Sequence, residues 1–218
     1  MNGKISSFQS LGTLDGPGLR TVVFMQGCPL RCICCHNPET WDFNVGMTIS
    51  ADDLVEKILR YKEYIKDGGA TFSGGEPIYQ AKFVAEVFRK LHDNNIHTCL
   101  DTSGCIYNDD IDELLNNADL VLLDYKYSTD EAYKKYVGCS VSAPTYFLEK
   151  LEEKNIKTWI RRVIIPKIND DDFSYSDIEN MKKTHSCVEK IEYLPLSLLC
   201  KEKYENMGID FPVEHLFE

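Results

Sequence analysis

The stretch ADLVLLDYK, residues 118–126, is an almost unbroken apolar run that stops on Asp124, Tyr125 and Lys126. A strand with one face in water alternates apolar and polar residues. A run without alternation suits a strand buried on both faces, and such strands belong to parallel sheets covered by helices. Working outward, five more segments read as strands: TVVFM (21–25), GATFS (69–73), IHTCLD (96–101), IKTWIRRVII (156–165) and VEKIEYLPL (188–196). Helical patterns lie between them. Residues 50–65 put Leu54, Val55, Ile58, Leu59 and Ile65 on one face, with Ser50 and Asp53 as a capping-box start. Residues 80–93 carry Phe83, Val84, Val87, Phe88 and Leu91 on an apolar stripe. Shorter patterns follow at 109–117, 128–137 (Ser128 and Glu131 in capping positions), 145–154 and 174–183.

Strands alternating with helices predict an α/β fold with a parallel sheet and right-handed crossovers. Six units are too few for a full eight-fold barrel, so the sheet is either open and doubly wound or a partial barrel. Both place a site at the C-terminal ends of the strands. The unusual residues stand there. A cysteine loop follows the first strand, SGGEP the second, DTSG the third, and DYK ends the fourth.

With 218 residues, 43% of them hydrophobic, the chain can bury one sizeable core. The expectation is a single domain over 1–218, with residues 1–20 as an extension ahead of the first strand and 196–218 as a short tail. A net charge of −11 argues against nucleic acid as the main partner, since phosphate backbones call for clustered cations. No apolar run reaches membrane-spanning length and the N-terminus lacks a signal-peptide core, so the expected location is cytoplasmic, with no membrane partner. In that reducing compartment, clustered cysteines bind metal or react rather than pair. Of the nine cysteines, Cys99, Cys105, Cys139, Cys187 and Cys200 are scattered and read as small buried hydrophobes.

The other four crowd into GCPLRCICCHN, residues 27–37. Cys28, Cys32 and Cys35 have the spacing C-x3-C-x2-C, and soft thiolates select zinc, copper(I) or iron–sulfur clusters. A structural zinc site wants a fourth ligand from a second knuckle, and no cysteine follows until Cys99. Three thiolates on a [4Fe–4S] cluster would leave one iron open. A zinc site using Cys34 or Cys35 with His36 stays open at this point. In SGGEP, Gly74 and Gly75 mark a place of close approach or positive φ, and Glu76 follows. Such a loop can hold an amino group with glycine carbonyls and a carboxylate, or it is a plain turn. Asp101 and Asp124, at the ends of neighbouring strands, read as a cation site or as turn residues. Lys126 and Arg161 can balance carboxylates there, or serve as surface charges.

C-x3-C-x2-C followed by GGEP in a βα repeat resembles the radical S-adenosylmethionine enzymes. The resemblance is strongest to the branch whose members activate pyruvate formate-lyase. DGPGLRTVVFMQGCPLRCICCHNPETWD, SGGEPIYQAKFV, IHTCLDTSG, LVLLDYK, VGCS, WIRRVIIP and VEKIEYLP match it in order over nearly the whole chain. The resemblance implies a partial (β/α)6 TIM-like barrel. It implies a [4Fe–4S] cluster on Cys28, Cys32 and Cys35, with S-adenosylmethionine on the fourth iron. Reductive cleavage would give a 5′-deoxyadenosyl radical that takes a hydrogen from a glycine of the partner. Cofactor contacts are implied at Cys34, His36, Gly74, Gly75, Glu76, Asp124, Tyr125, Lys126, Arg161 and Val163. Ser197 stands where relatives carry the histidine of LPYH. A monovalent cation, sodium or potassium, is implied at Asp101, Thr102, the Leu122 carbonyl and Asp124, and the substrate peptide at Asp15. The implied partners are pyruvate formate-lyase, and flavodoxin or ferredoxin as electron donor, with the activase a monomer. No catalytic acid or base is expected, because the chemistry is the cofactor's. The chain's early end suggests a wider lateral opening. The rivals are an activase of anaerobic ribonucleotide reductase or another glycyl radical enzyme, a small-molecule enzyme such as a carboxy-deazaguanine synthase, and a zinc- or cluster-binding module.

Overall fold

The structure is a computed structural model and describes residues 1–217. Its strands are β1 (Asn2–Gly12), β2 (Arg20–Met25), β3 (Met47–Ser50), β4 (Gly69–Gly74), β5 (Thr98–Thr102), β6 (Leu120–Asp124), β7 (Thr158–Ile164) and β8 (Val188–Pro195). They form one sheet in the order β3-β1-β2-β4-β5-β6-β7-β8. From β2 to β8 every neighbouring pair is parallel and in sequence order. These six are the strands read from the apolar runs. The sheet does not close on itself, as a partial barrel requires.

Two strands were not legible. β1 and β3 pair antiparallel on the outer side of β2, β1 inside the expected extension and β3 between the cysteine loop and the first helix. β1 is half-buried and irregular, with a register shift between Ile5 and Ser7, so its sequence never shows a clean period of two.

The helices are α1 (Ala51–Leu59), α2 (Lys62–Ile65), α3 (Ala81–His92), α4 (Asp109–Leu115), α5 (Asp130–Tyr136), α6 (Ser142–Glu153), α7 (Asp172–Thr184) and α8 (Lys201–Asn206). The helix expected over 50–65 is broken into α1 and α2 at Arg60–Tyr61, but its capping start is present: the Ser50 hydroxyl accepts from the Asp53 N–H at 3.1 Å. At α5 the cap is Thr129, which accepts from the Ala132 N–H, rather than Ser128. Ser128 is occupied instead by the buried Arg162 guanidinium at 3.0 Å. The short α8 lies in the segment expected to be a tail.

Alternation along each strand splits the packing in two. Val121, Leu123, Leu100 and Phe72 face the helices and join the large core, where Phe72 meets Phe88 of α3 edge-on at 5.1 Å. Cys99, Leu120 and Leu122 form a separate buried cluster on the other face, with Trp159 packed against it. That inner face continues upward into polar residues, and the register sets Asp124, Arg161 and Glu192 side by side on β6, β7 and β8.

Candidate active site at the mouth of the barrel

At the C-terminal ends of the strands one cavity is lined by Cys28, Cys32, Cys34, Cys35 and His36, and opposite them by Gly74, Gly75, Glu76, Asp101, Thr102, Asp124, Lys126, Arg161 and Val163. The cysteine loop is held from several sides. The Gly27 and Cys28 N–H groups donate to the carbonyls of Thr40 and Trp41, and those of Arg31 and Ile33 to the carbonyls of Val137 and Tyr136. Arg31 returns to the Cys28 carbonyl at 2.9 Å. From α8, the Tyr204 hydroxyl donates to the Cys35 carbonyl at 3.0 Å, and Lys203 reaches the His36 carbonyl, Asn37 and Glu39.

The two glycines of SGGE are required by this loop. Gly74 has φ +97°, and a Cβ there would lie 2.6 Å from the Phe24 Cα. A Cβ on Gly75 would lie 2.5 Å from the Gly27 carbonyl oxygen. The Gly75 N–H donates to the Met25 carbonyl and the Glu76 N–H to the Gly27 carbonyl, so the second loop is laid directly on the root of the first. The close approach read from sequence is therefore in part backbone against backbone.

Glu76 is buried at 3% exposure. It accepts from the Thr102 hydroxyl at 2.6 Å, the Ser103 N–H at 2.9 Å and the Ser103 hydroxyl. Burial pushes its carboxyl up, and those bonds oppose the shift. Most of its acceptor capacity thus ties the β4 loop to the β5 loop. Asp101 accepts from the Ser73 hydroxyl at 2.6 Å and from Arg161 at 3.3 Å. Burial pushes it up to about 7, with Arg161 opposing and Asp124 adding to the rise. Burial also works against the charge of Asp124, but Lys126 at 2.7 Å and Arg161 outweigh it and hold the carboxyl low.

Burial pushes all four loop thiols up, Cys28 to about 12 and Cys34 to about 11. Lys126 opposes that rise at Cys32 and Cys34. The donors are soft, shielded and beside a fixed cation, and coordination deprotonates a thiol outright. Among the described residues, no three His, Cys, Asp or Glu side chains converge on one ion position. Three soft thiolates from one loop, with no second knuckle to supply a fourth, suit a cubane, which takes each thiolate on a different iron. The loop therefore fits a [4Fe–4S] cluster.

Four expected residues are not part of the cavity wall. The Tyr125 ring turns to the helix side, its hydroxyl 3.0 Å from Thr145, because it follows Asp124 by one position and so points to the opposite face. The Leu122 side chain lies below in the inner apolar cluster. Ser197 accepts from the Leu199 N–H and shapes the turn into α8. Asp15 sits beneath, where burial raises its carboxyl while Arg161 and Arg20 oppose the rise. Sequence reading missed Ser73, Ser103, Thr40, Trp41 and Leu194, all in the wall. Ser73 had a signal, standing two residues beyond Thr71 on the inner face of β4. Trp41 had none, since its place depends on the loop folding back.

A family model described as a 4Fe-4S single cluster domain matches residues 14–142. The pyruvate formate-lyase 1-activating enzyme of Escherichia coli (strain K12) is 43% identical over 216 residues, covering 97% of this chain and 88% of that protein. The pyruvate formate-lyase-activating enzyme of Clostridium pasteurianum is 41% identical over 216 residues, covering 98% and 90%. Among solved structures, Streptococcus suis SuiB bound to precursor peptide SuiA shares the fold with a TM-score of 0.68 at 15% identity, over 81% of this chain and 39% of that one. Escherichia coli QueE does so with a TM-score of 0.51 at 15% identity, over 88% and 94%.

Proposed function

The chain belongs to the family of pyruvate formate-lyase-activating enzymes, and from that premise we propose that it generates the glycyl radical of a pyruvate formate-lyase at the mouth just described. One observation supports the reading above others: the wall that carries the C-x3-C-x2-C thiols also carries the SGGE loop, stacked on it by backbone hydrogen bonds.

Cys28, Cys32 and Cys35 would hold the [4Fe–4S] cluster, and S-adenosylmethionine would bind beside it. With one electron supplied, those groups would provide the radical chemistry that takes a hydrogen atom from a glycine α-carbon. The chain's own residues bind, orient and exclude water. Lys126 stands against the anionic thiolates and Asp124. Gly74 and Gly75 present backbone to the amino-acid end of the ligand. Glu76 fixes Thr102 and Ser103, and with them the far wall. Arg161 offers its guanidinium to a ligand carboxylate, while Val163 and Leu194 give an apolar surface. Cys34 and His36 border the same space, and Tyr125, Leu122 and Ser197 act through the backbone around them. No side chain needs to move a proton at the glycine.

Asp101, Thr102, the Leu122 carbonyl and Asp124 form the place for a sodium or potassium ion. Two carboxylates at neighbouring strand ends support it: Asp101 and Asp124 both face Arg161, and burial raises Asp101 to about 7 despite that guanidinium. Asp15 meets the substrate peptide. A flavodoxin or ferredoxin supplies the electron, and the enzyme works as a monomer in the cytoplasm. Its cysteines are free, which suits a reducing compartment.

The test is anaerobic incubation of reconstituted protein with reductant, S-adenosylmethionine and pyruvate formate-lyase. The expected result is a doublet glycyl-radical EPR signal that requires all three. Deoxyadenosine without the doublet would keep the cofactor chemistry and reject this partner. Colourless, zinc-loaded protein under strict anaerobiosis would reject both.

A further inference from the structure

Trp41 borders the cavity in the segment just after the cysteine loop. Its indole Nε1 is buried and makes no well-formed hydrogen bond. A buried indole N–H ordinarily finds an acceptor, so an orphan beside a metal site needs a reason. We propose that the Trp41 indole N–H donates a hydrogen bond to the Cys35 sulfur once that sulfur is on iron, and that this bond raises the cluster's reduction potential. The inference rests on the reading that Cys35 is a cluster ligand.

Three observations carry it. The ring cannot easily turn elsewhere: the Arg31 guanidinium lies over it at 4.7 Å from the centroid, and Tyr204 meets it edge-on at 6.1 Å. The residue is tied to both ends of the ligand loop, because its carbonyl accepts from the Cys28 N–H while Tyr204, against its ring, donates to the Cys35 carbonyl. The indole is also the side-chain donor that faces the Cys35 thiol. A neutral thiol is a poor acceptor, whereas an iron-bound thiolate is a good one. The donor is thus in place before its acceptor acquires charge.

The direction follows from charge. Reduction adds an electron to the cluster and increases the negative charge on its sulfurs. A fixed N–H dipole aimed at one of them stabilises the reduced form more than the oxidised form. Two residues before Trp41 in the chain, Glu39 Oε2 is also buried without a partner, while Lys203 occupies Oε1. A bond from the indole to that carboxylate is the competing outcome.

The experiment compares wild-type and Trp41→Phe holoenzymes, matched for iron and sulfide, in redox titrations followed by the EPR signal of the reduced cluster. Phenylalanine keeps an aromatic face for Arg31 and Tyr204 and removes only the donor. At a poise that leaves wild type half reduced, the reduced-to-oxidised ratio of the variant should fall about three- to tenfold, tenfold being about 59 mV for one electron. Equal midpoints overturn the proposal. If the variant fails to assemble a cluster, Trp159→Phe protein labelled with 15N-indole decides, because the chain has two tryptophans. A nitrogen hyperfine coupling to the reduced cluster supports the bond, and its absence, with the indole on Glu39, overturns it. A wild-type cluster that forms and responds to S-adenosylmethionine while either test fails would sink this inference and leave the functional reading intact. A wild type that forms no cluster would sink the functional reading itself.

Discussion

The inner face of the barrel carries one arginine at each end, and the two are treated in opposite ways. At the floor, Arg20 is wholly buried and fully used. Its Nε donates to the Thr71 hydroxyl at 2.6 Å, and its remaining N–H groups to the carbonyls of Pro17, Gly68 and Ala70, with His97 alongside. Thr71 passes the tie on to the Asp15 carbonyl at 2.6 Å, so the DGPG strap is held as a plug. At the mouth, Arg161 faces several carboxylates, yet its Nε is buried without a hydrogen bond, 3.7 Å from Glu192. Carboxyl groups divide the same way. Near the floor, burial raises Asp119, but the Thr98 N–H and His92 outweigh it and hold it low, and Glu152 is held to about 2 by the Cys187 and Ser186 N–H groups and the Ser186 hydroxyl. At the mouth, burial raises Glu76 and Asp101, while Lys126 and Arg161 outweigh burial at Asp124 and hold it low. At the floor, Arg20, Asp119 and Glu152 find their partners within the chain. The mouth leaves some unsatisfied, where a ligand can complete them.

The contrast can be broken by experiment. Cys32→Ala, at the mouth, should reduce iron content and bring glycyl-radical yield to background. The melting temperature of the metal-free protein should move by no more than about 4 °C. A large loss of stability there would show that the mouth is structural after all.

Arg20→Met should do the reverse. It strands several buried carbonyls and costs on the order of 3–5 kcal/mol, which lowers the melting temperature by about 6–20 °C for a chain of this size. Unfolding by urea checks it, and a variant as stable as wild type would remove the floor from the comparison.

Thr71→Val keeps the shape and removes the link between Arg20 and Asp15. A loss of about 1–3 kcal/mol is expected. A weaker apparent affinity for the partner's glycine peptide should accompany it, if Asp15 meets that peptide. Unchanged peptide affinity would separate the strap from substrate binding.

The smallest effect is expected for Glu152→Gln. The Glu152 carboxyl is held below its unfolded value, so its contribution is present above the unfolded pKa and is lost as pH falls through the range toward about 2. Wild type should therefore lose more stability than the variant between about pH 5 and pH 2. Parallel acid-melting curves would show that Glu152 does not contribute.

Much of this was legible beforehand, for reasons that differ by residue. The apolar runs predicted β2 and β4 to β8, because a strand buried on both faces must be apolar at every position. Cys28, Cys32 and Cys35 reach one wall because they lie within one loop at a strand end. Tyr125 was read into the site by position in a motif, although the period of two already turned it away from Asp124. β1 was not legible because one face is only half-buried and its register shifts. The clamp of Lys203 and Tyr204 on the cysteine loop joins residues separated by 164 to 169 positions, which no local pattern reports.

The sequence by itself determined the parallel sheet, the end at which chemistry belongs, and the donor types gathered there. Those follow from alternation, apolar runs and short spacings, which act over a few residues. Only the tertiary structure decided which donors are satisfied and which are left waiting. It spends Glu76 on Thr102 and Ser103, encloses Arg20 in carbonyls, and leaves the buried Trp41 N–H without a partner at the cavity wall. Desolvation and hydrogen bonding are set by groups far apart in the chain, so their balance exists only once the chain has folded.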